Sequence, residues 1–214
     1  MQVITIGLDI AKNVFQVHGV DNAGNAVLRR KVRRDQLIPL LRDMQPCLIG
    51  MEACATAHYW ARELKTMGHE ALLMPPTYTK PYVKRGKNDA VDAEAICEAV
   101  SRPGMRFVPI KSAEQQATLM LHKTRELLIK QQTMSINALR GHLSEFGIVV
   151  AKGIGRVGEL LELAKADGTL PEAAAAAVKV LAQHLEMLDK AIDDLEKQIG
   201  RAHAQNEEEL HVCR

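Results

Sequence analysis

Asp89 and Asp92 lie three residues apart in the stretch Lys87-Asn88-Asp89-Ala90-Val91-Asp92-Ala93-Glu94. On a helix, positions i and i+3 share a face, so the two carboxylates repel unless a cation or partner offsets them. Acids in a first helical turn also serve as plain helix-dipole partners. Two further acids, Asp9 and Glu52, end strand-like apolar runs far upstream. Each has an ordinary solvated explanation alone. Four carboxylates gathered together cannot all stay ionised without cations, and hard divalent ions such as Mg²⁺ or Mn²⁺ suit oxygen ligands. Two such ions about 4 Å apart could activate a nucleophile and stabilise a leaving oxygen in phosphodiester chemistry.

The elements that must bring these acids together read as follows. Residues 2–10 form a β-branched, buried strand ending in Asp9, and Phe15–Val20 a second. Asp21-Asn22-Ala23-Gly24-Asn25 is hairpin-turn chemistry. The third strand, Ala26 to Arg34, carries Arg29, Arg30, Lys31, Arg33 and Arg34, leaving Leu28 and Val32 apolar. Such a strand is either an edge guarded by charge or a phosphate-contacting ribbon, and the two are compatible. Asp35–Met44 reads as a helix with Asp35 as N-cap. Cys47–Glu52 follows as a buried strand, then a helix over Ala57–Met67 closed by Gly68, and a fifth strand over Ala71–Met74. The segment Thr77–Lys87 reads as a basic loop with Lys80, Lys84, Arg85 and Lys87, leading into the Asp89 helix. A meander followed by alternating helix and strand predicts an α/β domain with a mixed five-stranded sheet over 1–111.

The rear half, 112–204, reads as helical, followed by a tail over 205–214. Ser112 and Gln115 form a capping-box pattern for a helix running to about Phe146, and Thr169-Leu170-Pro171-Glu172 opens another. Along the latter Val178, Leu181, Leu185, Leu188, Ile192, Leu195 and Ile199 keep a heptad spacing. An antiparallel hairpin within the chain, an intermolecular coiled coil, or both would use that seam. Gly153-Ile154-Gly155-Arg156-Val157-Gly158 fits GxGxxG, but a dinucleotide fingerprint needs a βαβ unit and an acid closing a second strand. Helical segments flank this one, so a turn is the better reading.

The formal charge of +2 makes no global argument for nucleic acid, but residues 1–111 carry +5 and 112–214 carry −3. Met1 leads directly into a strand-like run, and no stretch approaches the roughly 18 apolar residues of a membrane span. Cys47, Cys54, Cys97 and Cys213 form no CxxC and read as reduced thiols of a cytoplasmic protein.

Three blocks, Gly7-Leu8-Asp9-Ile10-Ala11-Lys12, Gly50-Met51-Glu52 and Lys87–Ala95, match in order and spacing. In them the chain resembles the DEDD transposases, the Piv/MooV-type insertion-sequence recombinases that are bridge-RNA-guided. The resemblance implies a RuvC-like domain of the RNase H-like fold followed by a coiled-coil region. It implies that Asp9, Glu52, Asp89 and Asp92 coordinate Mg²⁺ for phosphodiester chemistry in DNA transposition. It further implies DNA and structured guide RNA as partners, and dimers or tetramers assembled through the coiled coil. Position alone, rather than the family, marks Arg29, Lys31, Arg33, Lys84, Arg85 and Lys87 for phosphate contact.

One departure stands out. The family continues into a domain with a catalytic serine, whereas Glu207–Arg214 does not resemble its entry, and none of Ser101, Ser112, Ser135 or Ser144 lies in a matching motif. A truncated or interrupted copy is the expectation here. The alternatives are a resolvase-like nuclease using only the acidic site and a non-catalytic, nucleic-acid-binding or dimerising remnant.

Overall fold

The computed structural model describes residues 2–82 and 89–212, without the side chains of 89, 90, 154 and 205–212. Lys84, Arg85 and Lys87 therefore lie outside the described residues, as does the side chain of Asp89. The chain divides into two compact units, Met1–Ser112 and Ala113–Arg214.

The first unit is built on β1 (Thr5–Ile10), β2 (Val14–Val20), β3 (Ala26–Arg33), β4 (Leu48–Glu52) and β5 (Glu70–Met74). They form one mixed sheet in the order β3-β2-β1-β4-β5. The β1–β2 and β2–β3 pairs are antiparallel, and β1–β4 and β4–β5 are parallel. The α/β architecture with a mixed five-stranded sheet is thus observed, and the cation-rich β3 is an edge strand. The other edge is covered where Val108 donates its N–H to Leu73 at 2.7 Å. The hairpin turn is tied by Asp21, whose Oδ1 accepts the N–H groups of Ala23 and Asn25, both at 2.9 Å.

Period-2 alternation gives the sheet two distinct faces. Ile6, Leu8, Phe15, Val17, Val32, Ile49, Met51, Ala71 and Leu73 project onto one face and form the main core. Covering it are α1 (Arg34–Arg42), through Leu37 and Leu41, and α2 (Ala57–Thr66), through Trp60, Ala61 and Leu64. Trp60 packs edge-on to Phe15 at 5.1 Å, and the Arg34 guanidinium lies 4.9 Å from the Trp60 ring. Buried His69 is committed to structure: its Nδ1 accepts the Cys47 N–H at 3.3 Å, so Nε2–H donates to the Leu41 carbonyl at 3.0 Å.

The other face is crossed by α4 (Asp89–Val100) alone among the longer helices of this unit. Two glycines make that crossing possible. A Cβ on Gly7 would overlap the Ala93 carbonyl oxygen and lie 2.8 Å from the Cys97 Cβ, and one on Gly50 would lie 2.7 Å from the Val100 Cβ. The helix therefore rests almost backbone-to-backbone on β1 and β4.

Several sequence expectations are corrected. The N-cap of α1 is Arg33, not Asp35, and Arg34 begins the helix instead of ending β3. Gln36 supplies the capping interaction by accepting the Arg33 N–H at 3.0 Å, which leaves Asp35 in the first turn as a dipole partner. Part of the expected loop is ordered: α3 spans Pro76–Thr79 and a 3₁₀ turn spans Lys80–Tyr82. Pro76 sits at the first helical position, where its missing N–H costs nothing.

The second unit contains α5 (Ala113–Ser144), α6 (Val157–Ala166) and α7 (Glu172–Val212). Arg125 pairs with Glu196, Gln132 donates to Asp189, and the His122 and His203 rings meet at 5.5 Å, so α5 and α7 run antiparallel. Val178, Leu185, Leu188 and Ile192 of the seam are buried. The seam packs within the chain, which is the hairpin option. Thr169 does not cap α7, because its N–H and hydroxyl both go to Asp167, at 2.8 and 2.6 Å. The GxGxxG stretch forms a 3₁₀ turn over Ile154–Arg156 ahead of α6, with no strand beside it among the described residues.

Candidate active site

The parallel pairing of β1 with β4 runs Thr5–Leu48, Ile6–Ile49, Gly7–Gly50, Leu8–Met51. One step further places Asp9 beside Glu52, and alternation sends both to the face carrying Gly7 and Gly50, which is the α4 face. The sheet order settles where these acids sit. They lie at the ends of adjacent inner strands, β1 being the central one, and α4 lies across the face. The direction of α4 follows from its contacts. Cys97 Sγ lies 3.6 Å from the Thr5 carbonyl, whereas Ala93 and Cys97 both meet Gly7. Moving from Thr5 towards Asp9 therefore moves from the C-terminal half of α4 towards its first turn. That turn carries Asp89 and the half-buried Asp92.

Asp9 and Glu52 also act on a cysteine that follows β4. The Cys54 thiol is pushed above the usual range first by burial and then by the negative charges of Glu52 and Asp9. Buried Cys47 and Cys97 are each raised to about 11 by burial and are inert as nucleophiles. The donor set at the strand ends is all carboxylate oxygen, the chemistry suited to a hard divalent cation. Among the described residues no three His, Cys, Asp or Glu side chains already form a metal-holding group.

Glu52 has a partner that the sequence reading missed. Thr79, at the end of α3, donates its hydroxyl to Glu52 Oε1. Pro76 at N1 starts the short helix that presents Thr79. Between β4 and α2, Thr56 holds a left-handed conformation (φ 73°) as the N-cap of α2. For a β-branched residue this stores strain on the order of 1–3 kcal/mol, four residues after Glu52 in the chain.

The same registers place the cations. Gln16 pairs with both Asp9 and Lys31, and His18 with both Gly7 and Arg29. Glu52, Asp9, Gln16 and Lys31 thus form one row across the α4 face, and Arg29 and Arg33 flank Lys31 on the same face. At about 4.8 Å between strands, Lys31 stands two strands, roughly 10 Å, from Asp9. Arg30 falls in register with Val17, on the core side. A cleft of about 390 Å³ opens between α4 and this edge, lined by Gln16, His18, Arg29, Arg30, Lys31 and Glu94. Glu94 holds Arg29 at 4.0 Å in a mostly exposed pair.

A mixed sheet with acids ending neighbouring parallel strands, and an acid-bearing helix laid across that face, is the RNase H-like architecture. A family model for transposases of the IS110 DEDD type matches residues 6–148, a span holding all four acids, and the chain belongs to that family. It is 48% identical over 206 residues to a putative transposase, y4pF/y4sB, of Sinorhizobium fredii, covering 96% of this chain and 53% of that protein. It is 47% identical over 210 residues to a probable family 20 transposase of Pseudomonas aeruginosa, covering 97% of this chain and 62% of that protein. Against the transposase for insertion sequence element IS1111A of Coxiella burnetii it is 39% identical over 206 residues, covering 95% and 56%. The chain therefore spans between half and two thirds of the length of these curated relatives. No described helix is long and apolar enough to cross a membrane.

Proposed function

We propose that this chain serves DNA transposition as a DEDD recombinase unit acting on phosphodiesters with Mg²⁺ or Mn²⁺. Asp9, Glu52, Asp89 and Asp92 are its ligands and catalytic residues. The observation that carries this reading is the parallel β1–β4 register, which reaches Leu8–Met51 and so leads into Asp9 and Glu52 on the face crossed by the acid-bearing helix. When bound, the cation supplies Lewis-acid polarisation of the phosphodiester. The chain's own residues do the rest. The two strand ends hold Asp9 and Glu52 on the sheet, and α4, seated closely on Gly7 and Gly50, carries Asp92. Arg29, Lys31 and Arg33, joined in sequence by Lys84, Arg85 and Lys87, hold the substrate backbone beside the acids.

Membership of a bridge-RNA-guided family supports a structured guide RNA as second partner. Assembly of two or four copies through the helical unit is supported by an outer stripe on α5. Met120, Leu127 and Met134 repeat every seven residues and are 68%, 54% and 70% exposed. The intrachain seam leaves this stripe uncovered among the described residues.

The deciding experiment is a Mg²⁺ titration with a panel of structured DNAs and RNAs at fixed salt. Cleavage or strand transfer that requires Mg²⁺ and vanishes in Asp9→Ala is the expected result. Binding without cleavage would reassign the chain to a nucleic-acid-binding role. An identical Mg²⁺ response in wild type and Asp9→Ala/Asp92→Ala would overturn the metal site itself. Sedimentation of wild type against Leu127→Asp tests assembly, the variant being expected to lose mass.

A further inference from the structure

Glutamate is an awkward ligand for a rigid site. Its three side-chain torsions leave the carboxylate more rotamers to lose than the shorter Asp9 has. Glu52 stands at the end of β4 and is only half-buried, so packing alone does not determine where its oxygens point. What touches it is Thr79. That residue is 1% exposed, and its hydroxyl donates to Glu52 Oε1. The same hydroxyl lies 3.1 Å from the Pro76 carbonyl, three residues back in α3. A hydroxyl has one proton to give, so a bond to Glu52 forgoes a local acceptor that is always within reach.

The surroundings hold the donor in place. Pro76 starts α3 with a fixed φ, and Thr79 is β-branched, which restricts its first torsion. The Ala53 N–H donates to the Met74 carbonyl at 2.7 Å, tying the residue after Glu52 to the strand that leads into α3. Donor and carboxylate are therefore held by the same pair of strands.

We propose that Thr79 is the positioning residue of the acidic site, occupying Glu52 Oε1 and directing cation coordination to Oε2. This rests on the reading of Glu52 as a ligand given above. Thr79 touches no reacting atom; it acts through Glu52. Partners of metal ligands typically account for a 10–100-fold change in metal affinity, and a half-buried glutamate with three torsions to fix belongs in that range.

The test measures Mn²⁺ affinity by electron paramagnetic resonance on the full chain, without substrate. The proteins are wild type, Thr79→Val, Thr79→Ser, Glu52→Gln and the double variant Thr79→Val/Glu52→Gln, with apo thermal unfolding confirming that each is folded. Thr79→Val keeps the shape and removes the hydroxyl; it should weaken Mn²⁺ binding about 10-fold. Thr79→Ser should return affinity to near wild type. In the Glu52→Gln background, Thr79→Val should change nothing further, since its route of action is gone. Wild-type affinity in Thr79→Val, alongside weakened binding in Glu52→Gln, overturns the positioning role while leaving Glu52 as a ligand. An equal loss in both backgrounds overturns it too, by showing that Thr79 acts through the fold. Undiminished binding in Glu52→Gln removes the underlying ligand reading, and this proposal with it.

Discussion

The face on which each cation of β3 sits makes a quantitative prediction about salt. Arg29, Lys31 and Arg33 share the α4 face with the acids, whereas Arg34 stacks on Trp60 and Arg42 ends α1, both in the layer on the opposite side. Each phosphate neutralised on duplex DNA contributes about 0.9 to the slope of log affinity against log salt. Three contacts therefore contribute about 2.7, and a fourfold rise in salt costs about 40-fold in affinity through them. Converting all three residues to alanine should flatten the slope by that amount, with each single change accounting for about 0.9. The Arg29–Glu94 pair does not reserve Arg29, because a 4.0 Å pair with a 69% exposed arginine is weak. The assay is fluorescence anisotropy on one labelled duplex across a salt series. Arg34→Ala and Arg42→Ala remove the same charge and should leave the slope unchanged. Equal flattening by these controls would mean that net charge, not a track beside the acids, governs binding. A wild-type slope in the triple variant would remove β3 from the interface.

Other perturbations probe the frame of the site. Gly50→Ala drives a Cβ into Val100 and should cost about 1–3 kcal/mol by overpacking, read by urea denaturation. Gly7→Ala meets helix backbone, which yields less than a side chain, and should cost more than Gly50→Ala in the same assay. Glu52→Gln and Asp9→Asn should each speed alkylation of Cys54 at constant pH. Removing a nearby negative charge lowers the thiol pKa and raises the thiolate fraction, and peptide mass spectrometry resolves this site from the buried Cys47 and Cys97. His58 on α2 accepts the Lys111 N–H at 3.2 Å, and its pKa is lowered by burial and by the charges of Lys111 and Arg62. The folded state thus prefers the neutral ring. The stability it contributes is present above the unfolded value near 6.5 and is lost as pH falls through the lower folded value. The protection factor of the Lys111 amide against hydrogen exchange should fall on acidification, and a pH-independent protection factor would refute this. In the second unit, Leu188→Ala should cost about 2–5 kcal/mol by opening a cavity in the α5–α7 seam.

How far the sequence could be read depended on which interaction decided each feature. Strands ending in Asp9 and Glu52 were legible because β-branched runs stopped by turns announce themselves locally. Their adjacency required one assumption, that β4 pairs beside β1, and the parallel register supplies it. The lie of α4 was not legible: it depends on Gly7 and Gly50, and a strand glycine reveals a close approach only once its neighbour is known. Thr79 was invisible for a similar reason, since a threonine in a turn gains its role from a glutamate 27 residues upstream. The cap of α1 went to Arg33 rather than Asp35 because β3 runs into the helix with no intervening loop. Heptad spacing correctly marked a packed seam but carries no information on whether the partner helix is in the same chain, and here α5 fills that place. The alternation of β3 cations between two faces was present in the spacing, yet it acquired meaning only when β2 set the register.

The two glycines under α4 have a consequence at the level of the gene. Every missense change reachable from a glycine codon by one base adds at least a Cβ. At position 7 that carbon meets a peptide carbonyl, and at position 50 it meets Val100. In a population of copies drifting under random mutation, these two codons should accept synonymous changes almost exclusively, while the neighbouring core positions exchange one aliphatic residue for another. Saturation libraries of this chain, scored for retention of fold, would show both columns depleted relative to the aliphatic core positions around them. Those columns would mark where the helix bearing half of the acids is seated.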